Sequence, residues 1–102
     1  MKQNTLEEYR LQIDEADRRL IQAFTDRMDI SAGISQYKEA HHMKVYDPIR
    51  EQKKLCQVEL LVEENMRGYV DKLYLLLFEL SRNYQSSLQE ENVSFPCQSA
   101  AM

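Results

Sequence analysis

Ten positions at alternating three- and four-residue steps, Leu6, Tyr9, Ile13, Ala16, Leu20, Ala23, Arg27, Ile30, Ile34 and Tyr37, form a stripe that is apolar everywhere except at Arg27. That spacing places every member on one face of a continuous helix. A guanidinium in the middle of such a face is tolerable only opposite a carboxylate or another anion. The counter-charge of Arg27 is therefore the first question the chain poses.

Only two Gly and two Pro punctuate the 102 residues. Long stretches are rich in Leu, Glu, Lys, Gln and Arg, which argues for an all-α fold over a sheet-containing one. The length suits one domain with a modest core. A net charge of −4 argues against a general nucleic-acid surface, so any bound anion must be drawn by a local basic cluster. Cys56 and Cys97 are too few and too far apart for a disulfide framework or a zinc site, and Cys56 reads as a small core residue. The amino terminus lacks the apolar core of a signal peptide, and no run is long enough to span a membrane. These features point to a cytoplasmic protein.

The periodicity predicts three helices, the first very long. It runs from about Thr5, which with Glu8 forms a capping box, to about Ala40. His41 to Tyr46 break the period as a short connection. Asp47-Pro48 is a strong start signal for the second helix, since Asp accepts a free backbone N–H and Pro at the first helical position loses none. That helix is expected to reach about Glu64. A third, capped by Asn65 and beginning near Met66, carries Tyr69, Val70, Leu73, Tyr74, Leu76, Leu77, Leu80, Tyr84 and Leu88 to about Gln89. Residues 1–89 read as one helical domain and residues 90–102 as a mobile tail or linker stub.

The first helix is too long for this chain to cover. Thirty-six helical residues span roughly 54 Å at about 1.5 Å per residue, whereas a compact domain of this size is roughly 35 Å across. The expected solution is an intertwined homodimer in which the first helix pairs with its copy.

Arg27 and Lys38 lie only about 20° apart around that helix and roughly 16 Å apart along it. Ser31 and Ile34 lie between them, so the segment reads as a pocket floor with a cation at each end. Arg10 is about 25 Å and about 100° from Arg27, too far for one small ligand to touch both on one helix. A functional Arg10 therefore serves a second site, most simply the partner chain's. The second helix offers backbone N–H groups with Arg50 and Glu51 at its start. The third offers Ser81 and Gln85, which share a face at i,i+4. No nucleophile–base pair, metal-ligand spacing or glycine-rich phosphate loop accompanies them.

Taken singly, these residues have plain structural readings. Arg27 alone fits a structural pair with a glutamate from a neighbouring helix, Arg10 and Lys38 fit snorkelling edge residues, and Glu51 fits the positive end of a helix dipole. His41-His42 read as ordinary surface histidines at a helix end. The functional case rests on the residues occurring together.

Together they closely resemble the all-helical (type II) chorismate mutase family. The matching pieces are Arg10 in LEEYRLQID, Arg27 in DRMDIS, Lys38 in QYKEAH, the YDPIRE segment, and Ser81 with Gln85 in FELSRNYQ, in the family's order and near its spacing, over roughly residues 5–89. The resemblance implies a Claisen rearrangement of chorismate to prephenate, at the shikimate-pathway branch towards phenylalanine and tyrosine, with no cofactor and no metal. It further implies that Arg10 of the partner chain and Arg27 hold the two substrate carboxylates, assisted by Ser81. Lys38 and Gln85 would donate to the ether oxygen. Glu51 and the backbone N–H of Asp47 would bind the ring hydroxyl, and Arg50 would line the pocket and support Lys38. Two other readings stay open: an isochorismate–pyruvate lyase of the same fold, and a non-catalytic helical dimerisation module.

Overall fold

The computed structural model describes residues 4–89. It contains three helices, α1 (Leu6–Ala40), α2 (Pro48–Glu59) and α3 (Glu64–Gln89), and among the described residues no strand. The all-α expectation with a long first helix holds. The proposed tail, including Cys97, lies outside the described residues. Among those described, no helix is long and apolar enough to cross a membrane.

The chain divides into two units, Met1–Ile30 and Ser31–Met102. In the first, the described residues belong almost wholly to α1. Thr5 caps it as expected, its hydroxyl accepting from the Glu8 N–H at 3.2 Å. Every described residue from 4 to 23 is exposed. Leu6, Tyr9, Leu11, Ile13, Leu20, Ile21 and Ile30 leave more than half of their surface open to solvent.

In the second unit α2 and α3 pack together as a helical hairpin. Val58 and Phe78 are its buried apolar residues, and Tyr74 meets Phe78 edge-on at 6.0 Å. The end of α1 joins this unit through small polar side chains. Buried Ser35 donates to the Gln85 carbonyl at 3.2 Å, and Gln89 Nε2 donates to the Ser35 hydroxyl at 3.4 Å. Ser31 is buried as well.

The exit from α1 is a Schellman turn. Met43 N–H bonds to the Lys38 carbonyl at 2.7 Å and His42 N–H to that of Glu39 at 3.3 Å. His42 occupies the left-handed position, with φ 55, where a side chain costs about 1–2 kcal/mol. His41 stacks on Tyr37 at 4.0 Å between ring centroids. Glycine has no Cβ to penalise there, but it adds freedom to the unfolded chain. His42→Gly is therefore expected to stabilise the protein by a net of roughly 0.5–1 kcal/mol, read as a higher denaturant midpoint. A lower midpoint would show that the His42 side chain contributes more than its backbone strain costs.

Asp47 and Pro48 start α2 as read from sequence: Asp47 is the N-cap, and its Oδ1 accepts from Arg50 N–H at 3.1 Å. The end differs. The second helix stops at Glu59 rather than near Glu64, because Leu60 and Leu61 N–H turn back to the Gln57 and Val58 carbonyls at 3.2 and 3.0 Å. Arg67 on α3 fixes this end by donating from Nε to the Glu59 carbonyl at 3.1 Å. Beside it, a hydrogen bond that protonated Glu59 donates to the Asp71 carboxylate, and then that carboxylate's charge, hold the Glu59 carboxyl above its ordinary value, with burial adding and Arg67 opposing. The third helix begins at Glu64, so Asn65 lies within it instead of capping it. Cys56 is exposed, contrary to its reading as a core residue. It lines a shallow apolar groove of about 570 Å³ with Pro48, Ile49, Gln52, Lys53 and Gln57, which includes none of the expected site residues.

Candidate functional site

The residues singled out from sequence fall in both units. In the first unit, Arg10 is largely exposed and lies 3.8 Å from Glu7, one turn before it. A pair this open contributes little to stability. Arg27 is half-buried, as are Phe24 and Met28.

In the second unit, Lys38, Asp47, Arg50, Glu51, Ser81 and Gln85 come from the end of α1, the start of α2 and the later half of α3. Lys38 is half-buried, and its ammonium donates to the Val45 carbonyl at 2.7 Å, tying the connection to the helix it leaves. An ammonium has three donor hydrogens, so this bond engages only one. Asp47 places its carboxylate at the helix start as a cap, and the side chain of Arg50, two residues into α2, is on an exposed residue.

Ser81 and Gln85 share one face of α3, as i,i+4 spacing requires. Gln85 is 6% exposed. Among the described residues, the Ser81 hydroxyl oxygen and Gln85 Oε1 are both buried without a hydrogen-bond partner. A buried polar atom left in that state costs about 1–3 kcal/mol. Turning the Gln85 amide over exchanges the acceptor for an NH₂ donor at almost no steric cost, so the same position can serve either polarity.

Glu51 has a partner that sequence reasoning did not supply. Arg82 Nη1 donates to both carboxylate oxygens, at 2.6 and 2.5 Å, joining the start of α2 to α3. The guanidinium carbon lies 5.1 Å from the centroid of the Tyr46 ring, within cation–π range. Both charged side chains are substantially covered, with 32% of Arg82 and 21% of Glu51 accessible. Arg82 was visible within FELSRNYQ and Tyr46 within YDPIRE, but neither segment says that the two meet. The only signal was position, since Arg82 falls on the same side of its helix as Ser81 and Gln85.

The structure thus brings Tyr46, Glu51 and Arg82 into one cluster and orients Ser81 and Gln85 together. Lys38 is directed to the connection between α1 and α2. Chemically, the unit offers hydrogen-bond donors, a fixed carboxylate, and buried polar atoms able to meet a polar ligand.

Comparison with curated proteins and with solved structures returned no match. The family model described as chorismate mutase type II matches residues 9–86. That span includes Arg10, Arg27, Lys38, Asp47, Arg50, Glu51, Ser81 and Gln85 and covers most of all three helices, so the chain belongs to the chorismate mutase type II family.

Proposed function

We propose that the protein is a chorismate mutase, converting chorismate to prephenate by a pericyclic rearrangement within a homodimer. The observation that carries this reading is the family match over residues 9–86, which includes every residue assigned a role. The buried, unpartnered Ser81 and Gln85 oxygens support it, because they give a polar ligand a reason to bind there. The reaction breaks a C–O bond while forming a C–C bond and transfers no proton. It needs a compact substrate conformer and stabilisation of developing negative charge on the ether oxygen, which fixed donors supply.

In this reading Arg10 of the partner and Arg27 hold the two substrate carboxylates, with Ser81 assisting. Lys38 and Gln85 donate to the ether oxygen. Glu51 and the Asp47 backbone N–H engage the ring hydroxyl, and Arg50 lines the pocket. No cofactor or metal takes part.

The dimer is supported by the exposed apolar residues of the first unit. Leu6, Ile13, Leu20 and Ile30 are each more than half open to solvent, on a segment whose stability requires its apolar face to be covered. Sedimentation at micromolar concentration is expected to give twice the monomer mass; a monomer of ordinary stability would rule out pairing of the first helix.

Incubation with chorismate and with isochorismate, in separate reactions, tests the activity. Prephenate from chorismate is the expected product. Salicylate and pyruvate from isochorismate alone would identify the lyase instead, and turnover of neither would leave a dimerisation module.

A further inference from the structure

We propose that Arg82 is a positioning residue that holds Glu51 in place to receive the substrate's ring hydroxyl, and so sets how strongly the site prefers a hydroxylated dicarboxylate. This rests on the chorismate reading above. One guanidinium nitrogen bonds both oxygens of Glu51 across the α2–α3 interface. Without that anchor, a glutamate at the first turn of a helix has three rotatable bonds and freedom to swing into solvent. The Tyr46 ring at 5.1 Å covers Arg82 and limits the guanidinium's own choices.

The geometry leaves Glu51 able to do this work. An ionised carboxylate has about four acceptor sites. The two contacts come from a single Nη1, so further lone pairs on both oxygens can accept from a hydroxyl. Arg82 also follows directly on Ser81 and lies three residues before Gln85, two of the three described residues, with Asp71, that have a buried side-chain oxygen without a partner. The anchor of the carboxylate and the Ser81 and Gln85 oxygens therefore belong to the same turn of α3.

The ring hydroxyl is on the carbon next to the breaking C–O bond but takes no part in the bond changes, so its hydrogen bond to Glu51 is of similar strength in the ground and transition states. Loosening its acceptor should consequently raise KM and leave kcat nearly unchanged. Arg82→Met retains much of the side-chain stem and removes the donors. It is expected to raise KM for chorismate about tenfold with kcat within about threefold, the scale of one charge-assisted hydrogen bond. Arg82→Lys is expected to recover part of that loss. Glu51→Gln should raise KM similarly, and adding Arg82→Met to it should cost little more, because Arg82 acts through Glu51.

A second measurement isolates the hydroxyl. Competitive inhibition by a bicyclic ether dicarboxylate is compared with that by the same molecule lacking its hydroxyl. The wild-type protein is expected to prefer the hydroxylated inhibitor about tenfold, and Arg82→Met to lose most of that preference. A purely structural Arg82 would lower the melting temperature and active fraction while leaving the preference intact, which would overturn the proposal. Additive KM effects of Glu51→Gln and Arg82→Met would also overturn it. Failure of the wild-type protein to turn over chorismate would instead reject the functional reading on which it rests. Should Arg82→Met fail to fold, the same inhibitor ratio measured on Arg82→Lys decides: an unchanged preference rejects the proposal, and a reduced one sustains it.

Discussion

Lys38→Ala is expected to retain the helical fold and to lose at least about 10²–10³ in turnover, the usual cost of removing one preorganised donor from a developing oxyanion. The fold should survive because Lys38 sits in the last turns of α1, and alanine is the most favourable residue in a helix. What the mutation removes structurally is one bond, from the ammonium to the Val45 carbonyl. Its loss costs roughly 1–2 kcal/mol and falls on the connection after α1. The chemical loss has a different origin. In the proposed reaction the ether oxygen is a poor acceptor in the bound substrate and a much better one as its bond to carbon breaks, so an ammonium that Lys38 held beside it would bind the transition state more tightly than the ground state. Such an interaction acts on kcat more than on KM. Lys38→Arg, which keeps the charge and the ability to donate to Val45, is expected to restore stability fully but activity only in part, since a planar guanidinium cannot reproduce the position of a compact ammonium. Circular dichroism and steady-state kinetics on both variants test this. Near-wild-type turnover in folded Lys38→Ala would remove Lys38 from the catalytic machinery.

The elements that the sequence disclosed are those governed by local rules. A three-four stripe, a Thr5 cap and the Asp47-Pro48 start all act within one turn of chain, and the structure has them where they were expected. The misplaced boundary near residue 60 is of another kind. Arg67 reaches back from α3 to the Glu59 carbonyl, eight residues earlier, and no periodicity within α2 contains that contact. Cys56 failed for a related reason: an apolar-compatible residue in a helix reads as core only if something covers that face, and nothing in a single sequence states which face is covered. The candidate site divides in the same way. Ser81 and Gln85 could be placed on one face from spacing alone. The Glu51–Arg82 pair joins residues 31 apart across two helices and became visible only with the hairpin assembled. Spacing reads Lys38 as a pocket cation; the bond it makes to Val45 was not legible, because it depends on the path of an irregular connection.

Arg10 gives the second large effect and bears directly on the proposed dimer. Its only ion-pair partner among the described residues is Glu7, at 3.8 Å and largely exposed, so Arg10→Ala should leave stability nearly unchanged. Activity, by contrast, is expected to fall at least as far as in Lys38→Ala, since in the proposed function one of the two substrate carboxylates loses its guanidinium. The informative experiment mixes the two inactive chains by joint refolding. In a two-fold dimer each interface is used twice by the same residues. If Arg10 serves its partner's site, one site of each heterodimer joins intact Lys38 of the first chain to intact Arg10 of the second. The other site collects both substitutions. Random pairing at equal amounts then makes half of the dimers hybrid, with one working site of two, and restores about one quarter of wild-type activity. If Arg10 acts within its own chain, every site in every dimer carries one substitution, and mixing restores nothing. The activity of the mixture thus separates the two arrangements without requiring either variant to be compared with a perfect control, and the expected quarter also tests whether the first helix exchanges partners freely on refolding.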